Sequence, residues 1–188
     1  DGEGTAENMT SSAIPIKPDP NQNKCQVANS QTSDGLQIIG SECSEILIGS
    51  PTNDFLHGKA GRDLLKGKQG RDLIKGGQNS DLLKGGKNKD ILYGNKGKDH
   101  LHGQRGDDKL RGGAGRDWLK GGKGDDILRG GKGDDRLRGG AQNDKLNGNK
   151  GEDILIGGRG ADRFRLSKGK DTIKDYSIGD GDIIDASN

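Results

Sequence analysis

"GGAGRDWLKGGKGDDILRGGKGDDRLR", residues 112–138, is one nine-residue pattern written three times. Each unit opens on two glycines and carries a third glycine at position four. An aspartate stands sixth and a large apolar residue eighth. Followed outward, the period does not slip. The sixth position reads Asp54, Asp63, Asp72, Asp81, Asp90, Asp99, Asp108, Asp117, Asp126, Asp135, Asp144, Asp153 and Asp162, with Glu45 in the slot before. The eighth position is Leu or Ile from Leu47 to Leu155, then Phe164. A glycine opens every unit from Gly40 to Gly157, so the register is not accidental.

Of 188 residues, 36 are glycine and only 26% are hydrophobic, too few for a conventional layered core. Such polarity otherwise reads as disorder, but a disordered chain keeps no strict period, and a fixed period marks a repeat architecture. Charge is unevenly spread. The segment before Gly58 holds 2 basic and 8 acidic side chains; the rest holds 29 basic and 21 acidic. No apolar run approaches the ~20 residues of a membrane-spanning helix.

The units GGAGRDWLK, GGKGDDILR and GGKGDDRLR resemble the G-G-x-G-x-D-x-U-x nonapeptide of RTX proteins. The tail "GKDTIKDYSIGDGDIIDAS" (169–187) is similar to the segment that closes RTX β-rolls. The resemblance implies an all-β fold, a right-handed parallel β-roll of about seven 18-residue coils over 40–165. It also implies several bound calcium ions, held by the sixth-position aspartates and, in the closing segment, by Asp171, Asp180 and Asp182. An extended arm (1–24), an N-terminal cap (25–39) and a C-terminal cap (166–188) complete the organisation.

The physics agrees with the resemblance. Glycines permit the turn, and x-U-x makes a three-residue strand with U inward. Carboxylates one coil apart stack at about 4.8 Å and repel unless a hard cation joins them. A single row of Leu is thin, so metal binding and folding are expected to be coupled. The competing reading is a Gly-Asp solenoid whose loops bond internally without metal. Second-position glycine is lost at Lys59, Lys68, Asn95, Gln104 and Asn149, and fourth-position glycine at Thr52, Asn79, Asn88 and Gln142. The best calcium sites are therefore expected in 112–140 and the poorer ones before residue 90.

Cys25 and Cys43 are 18 residues apart, one coil length. Stacking carried back that far would place them within the ~4.4–6.8 Å disulfide window. A disulfide is expected, in an oxidising, extracytoplasmic setting; two buried thiols are the alternative.

Ninth-position side chains face outward, in two rows on opposite faces. One row is Lys66, Lys84, His102, Lys120 and Arg138; the other holds Lys75, Tyr93, Arg111 and Arg129. Third-position lysines add charge at the turns. These cations either balance the aspartates or form a track for an anionic polymer such as acidic polysaccharide. Nucleic acid is disfavoured because few aromatics interleave with the charge. At the seventh position, Ile46, Phe55, Leu64, Leu73, Leu82 and Ile91 are outward and apolar, which marks an interface. With Ile14 and Ile16 of the arm they suggest self-association, up to a filament. No zinc-helix, nucleophile-elbow or P-loop motif is present. The expectation is a secreted, non-enzymatic structural protein of a cell surface or matrix. The alternatives are a polysaccharide-binding module or the calcium-folding domain of a secreted enzyme or toxin.

Overall fold

The computed structural model describes residues 25–33, 35–167 and 169–185. The expected arm, with Ile14 and Ile16, lies outside the described residues. From Gly35 onward, successive strands alternate between a ten-stranded and an eight-stranded sheet. Each strand pairs in parallel with the one 18 residues away, except at the C-terminal end, where Arg163–Arg165 pairs with Ile183–Asp185 across 20 residues. Ile91, Lys109, Ile127 and Lys145 are partners across one sheet, and His100, Trp118, Arg136 and Ile154 across the other. Nine residues thus make half a coil, and the fold is a parallel β-solenoid.

The strands are longer than x-U-x. The strand Ile127–Lys132 has six residues, because the ladder continues through the glycines: Gly113 pairs with Gly131 and Ala114 with Lys132. The third-position residues therefore end strands, in register, rather than sitting in turns. Close approach at the second position explains its glycine. Gly122 has φ 131°, and a Cβ there would strike the carbonyl of Gln104. Where glycine is lost at Lys, Gln or Asn, the chain still bends the same way; at Ser50 and Thr52 it does not. Lys59 (φ 76°), Lys68 (φ 87°) and Gln104 (φ 86°) occupy the left-handed region, at roughly 1–2 kcal/mol each. Asn79, Asn88 and Gln142 do likewise at position four.

The core is one column of inward side chains running from Ile38 through Leu47, Leu56 and the later eighth-position residues to Phe164. Nearly all are fully buried. One aliphatic side chain per nine ordered residues is little to set against the entropy of ordering them. The remaining stabilisation must come from the coil edges.

The two ends differ. At the N-terminal end Ala28–Thr32 pairs antiparallel with Gly35–Ile39, which in turn stacks in parallel on Phe55–Lys59. Cys25 and Cys43 form the expected disulfide, with Cα atoms 5.3 Å apart. The route to it is not the expected one: a hairpin, rather than a stacked coil, returns the chain to Cys43. At the C-terminal end a short 3₁₀ turn, Ile178–Asp180, precedes the last strand, Ile183–Asp185. Tyr176 packs edge-on against Phe164.

Candidate metal centre

Every sixth-position aspartate from Asp54 to Asp162 is buried. Its place follows from the repeat: the residue after the turn points inward just before the strand begins. From Asp54 through Asp162, each Oδ1 accepts the backbone N–H of the residue 18 positions earlier, at 2.7–2.9 Å. The carboxylates thereby form two rows along the axis, one per edge of the roll. Each Oδ2 folds over the first glycine of its own unit. A Cβ on Gly121 would collide with Asp126 Oδ2, and one on Gly130 with Asp135 Oδ2. The invariance of the opening glycine is therefore a space requirement of the carboxylate.

Oδ1 is satisfied internally, as a metal-free solenoid would require. Oδ2 is not. Among the described residues, twelve aspartates from Asp63 to Asp162 carry a buried Oδ2 with no hydrogen-bond partner. An unpartnered buried carboxylate oxygen is costly. The cost appears in the acidity. Burial, opposed by the backbone N–H bond and reinforced in places by neighbouring carboxylates, pushes these groups up. They reach about 8 at Asp90 and Asp144, about 7 at Asp126 and about 6 at Asp162. Stacked acidic oxygens with nothing to bind fit a hard divalent cation. No three His, Cys, Asp or Glu side chains converge among the described residues. The remaining donors must then be backbone carbonyls, which a hard, oxygen-seeking cation accepts.

Comparison with known families agrees. RTX calcium-binding nonapeptide repeats match residues 48–173 in overlapping four-repeat segments, more than half of the chain. The chain belongs to the RTX repeat family. Its cofactor is therefore calcium, and the rows of Asp63 to Asp162 are the side chains that fit it. A search of curated proteins finds no match.

Within this RTX roll the ends of both rows depart from the interior. Asp54 has no orphan oxygen: Ser50 donates its N–H to Oδ2 at 2.5 Å and its hydroxyl to Oδ1 at 2.9 Å. Glu45 is served in the same way by Ser41. At the other end, Ser167 donates N–H and hydroxyl to Asp171 Oδ2, and the N–H of Ser177 serves Asp182 Oδ2. Asp182 follows Asp162 in its row, accepting the Asp162 N–H after a 20-residue step. Asp180 is exposed in the 3₁₀ turn, off the row.

Four features escaped the sequence reading: these serines; Asp175, which accepts the N–H groups of Gly157 and Gly158; the fifth-position acceptors, such as Asp107 for Asp125 N–H; and the left-handed turns of the substituted units. The serines had a signal. Ser41, Ser50 and Ser167 all stand four residues before the acid, at the second position of their units.

The outward rows are where the period put them. Lys66, Lys84, His102, Lys120 and Arg138 are in register on the eight-stranded sheet. Lys75, Tyr93, Arg111 and Arg129 are in register on the other. Burial, then Lys120 and Lys84, depress the His102 imidazole pKa below its ordinary value. The apolar residues form two triplets, Ile46–Leu64–Leu82 and Phe55–Leu73–Ile91. Ile46 is 67% exposed and Leu82 36%, while the other four are half-buried by their neighbours.

Proposed function

We propose that this RTX chain is an extracytoplasmic structural module that folds when it meets calcium. The observation that carries this reading is the pair of carboxylate rows with unpartnered inner oxygens. Such rows oppose folding while the metal is scarce and hold the coils together once it is abundant. The Cys25–Cys43 disulfide supports an oxidising setting. No helix among the described residues is long and apolar enough to cross a membrane. The acidic pairs of the repeat serve the rows and the turns, which supports a non-enzymatic role. Calcium supplies charge neutralisation here; the chain supplies two aligned rows of oxygen donors and a column of Leu that closes once they are neutralised.

The outward apolar triplets support self-association into a surface layer or filament, since adjacent rungs present them as continuous strips. Circular dichroism of the full chain during calcium titration tests the folding claim, and light scattering on the same samples tests assembly. Folding should appear as a cooperative gain of β-signal. Absence of that gain at millimolar calcium sinks the folding claim. A calcium-loaded monomer at high concentration sinks the assembly claim.

A further inference from the structure

We propose that the outer face of the ten-stranded sheet is a binding groove for a linear acidic polysaccharide, one bearing an anionic group on successive sugar units. An open groove of about 1360 Å³ runs along this face, larger than the usual ~300–1,000 Å³ of a small-molecule pocket. Its floor includes Gly112, Gly113 and Gly131, where no side chain stands between a ligand and the backbone. Its sides carry Lys75, Lys96, Arg111, Arg129, Lys132 and Lys150, and among the described residues no acidic side chain lines it.

The cations come from two positions of the repeat. Lys75, Arg111 and Arg129 are ninth residues; Lys96, Lys132 and Lys150 are third residues, brought alongside because the strands continue through the glycines. Where a ninth residue is uncharged, at Tyr93 and Asn147, the third residue of the same strand is a lysine. Every strand from Leu73–Gln78 to Lys145–Lys150 on this face thus offers at least one cation to the groove. The ion pairs Lys89–Asp107 and Arg116–Asp134 involve none of the six.

Rungs spaced at about 4.8 Å place at least one cation on each rung, close to one per pyranose unit of an extended chain. Duplex nucleic acid carries a charge every ~1.7 Å of axis, far denser than the rungs. Single strands gain their affinity by stacking bases on aromatic platforms, and among the described residues Tyr93 is the single aromatic one lining the groove. The groove therefore fits a sugar chain better than a nucleic acid. The anion on that chain is a carboxylate or a sulfate.

The inference rests on the calcium-folded roll, because the rows exist only when coils stack. The test uses the full chain in calcium, with circular dichroism confirming the fold of each sample. Isothermal titration is run with a short oligogalacturonate, a heparin oligosaccharide and single-stranded DNA. Three groove substitutions, Arg111→Gln, Arg129→Gln and Lys132→Gln, are compared with Lys120→Gln, Arg138→Gln and Lys123→Gln on the opposite face. The groove triple should weaken binding of the preferred oligosaccharide roughly tenfold or more and flatten its salt dependence. The opposite-face triple should leave it within about twofold. Oligogalacturonate binding more tightly assigns the ligand's anion as carboxylate, heparin binding more tightly as sulfate. Equal losses from the two triples overturn the proposal, as does tighter binding of DNA, or no oligosaccharide binding by chain that is folded. A chain that fails to fold in calcium breaks the calcium reading instead.

Discussion

At Asp126, deep in the roll, one carboxylate oxygen accepts an N–H and the other is buried with no partner. At Asp54, near the N-terminal end, Ser50 serves the second oxygen with both its N–H and its hydroxyl. The acid stands at the same place in the repeat, but the chain leading to it differs. Gly122 and Gly124 before Asp126 take positive φ on and beside a six-residue strand, whereas Ser50 and Thr52 before Asp54 do not, and the strand Ile46–Ile48 ends ahead of them. Interior units leave a negative oxygen for calcium, whereas terminal units satisfy it within the chain. On the proposed reading, the ends of the roll stand without metal and the interior needs it.

The largest effect separating the two regions is that of pH without calcium. Interior carboxyls are raised from 3.8 in the open chain to about 6–8 in the roll, chiefly by burial. A raised acid favours the fold below its unfolded value, and that benefit is lost as pH rises through the folded values. In chelator, β-signal should therefore be strong near pH 4–5 and fade towards pH 8. With calcium the trend reverses, because protons compete with the ion for the same oxygens. Circular dichroism across pH, with and without chelator, measures both. A metal-free β-signal that rises with pH would contradict the interior account.

A smaller effect comes from exchanging single groups. Asp126→Asn keeps an oxygen for the Asp108 N–H but removes a charge from the interior row. The calcium midpoint should rise on the order of tenfold, since carboxylate count tunes such sites. Ser50→Ala should leave the calcium midpoint unchanged and cost about 1 kcal/mol whether or not calcium is present. Calcium titrations and urea melts on both variants separate the regions. A calcium shift from Ser50→Ala would erase the distinction.

The smallest effect lies in the turns. Lys68 holds φ 87°, where a Cβ is strained. Lys68→Gly should stabilise the roll by about 0.5–1 kcal/mol, the relief of strain less the added glycine entropy. Thermal melts in saturating calcium would read it, and a loss of stability would show that Lys68 is held by something other than its backbone.

The period alone made much of this legible. Asp126 and Leu128 are two residues apart in every unit, so an acid row and an apolar column follow wherever the chain coils. The disulfide was also legible, although the hairpin that makes it was not, because Ala28–Thr32 carries no repeat to reveal its direction. Strand length escaped too. Glycine pairs are poor strand formers by composition, and only neighbouring coils on either side hold Gly113 and Gly131 in a ladder.

By itself, then, the sequence determined the coil, its 18-residue register, the inward Leu column and the calcium-seeking acids, because a strict nine-residue spacing admits one stacking. Tertiary structure decided which acids are left wanting a partner. That depends on what lies within hydrogen-bond reach of a single oxygen, a matter of ångströms that spacing along the chain does not report. It also decided that Lys96, Lys132 and Lys150 join Arg111 and Arg129 along one groove. Only the packed sheet carries the third residue of one unit alongside the ninth residue of the unit before it.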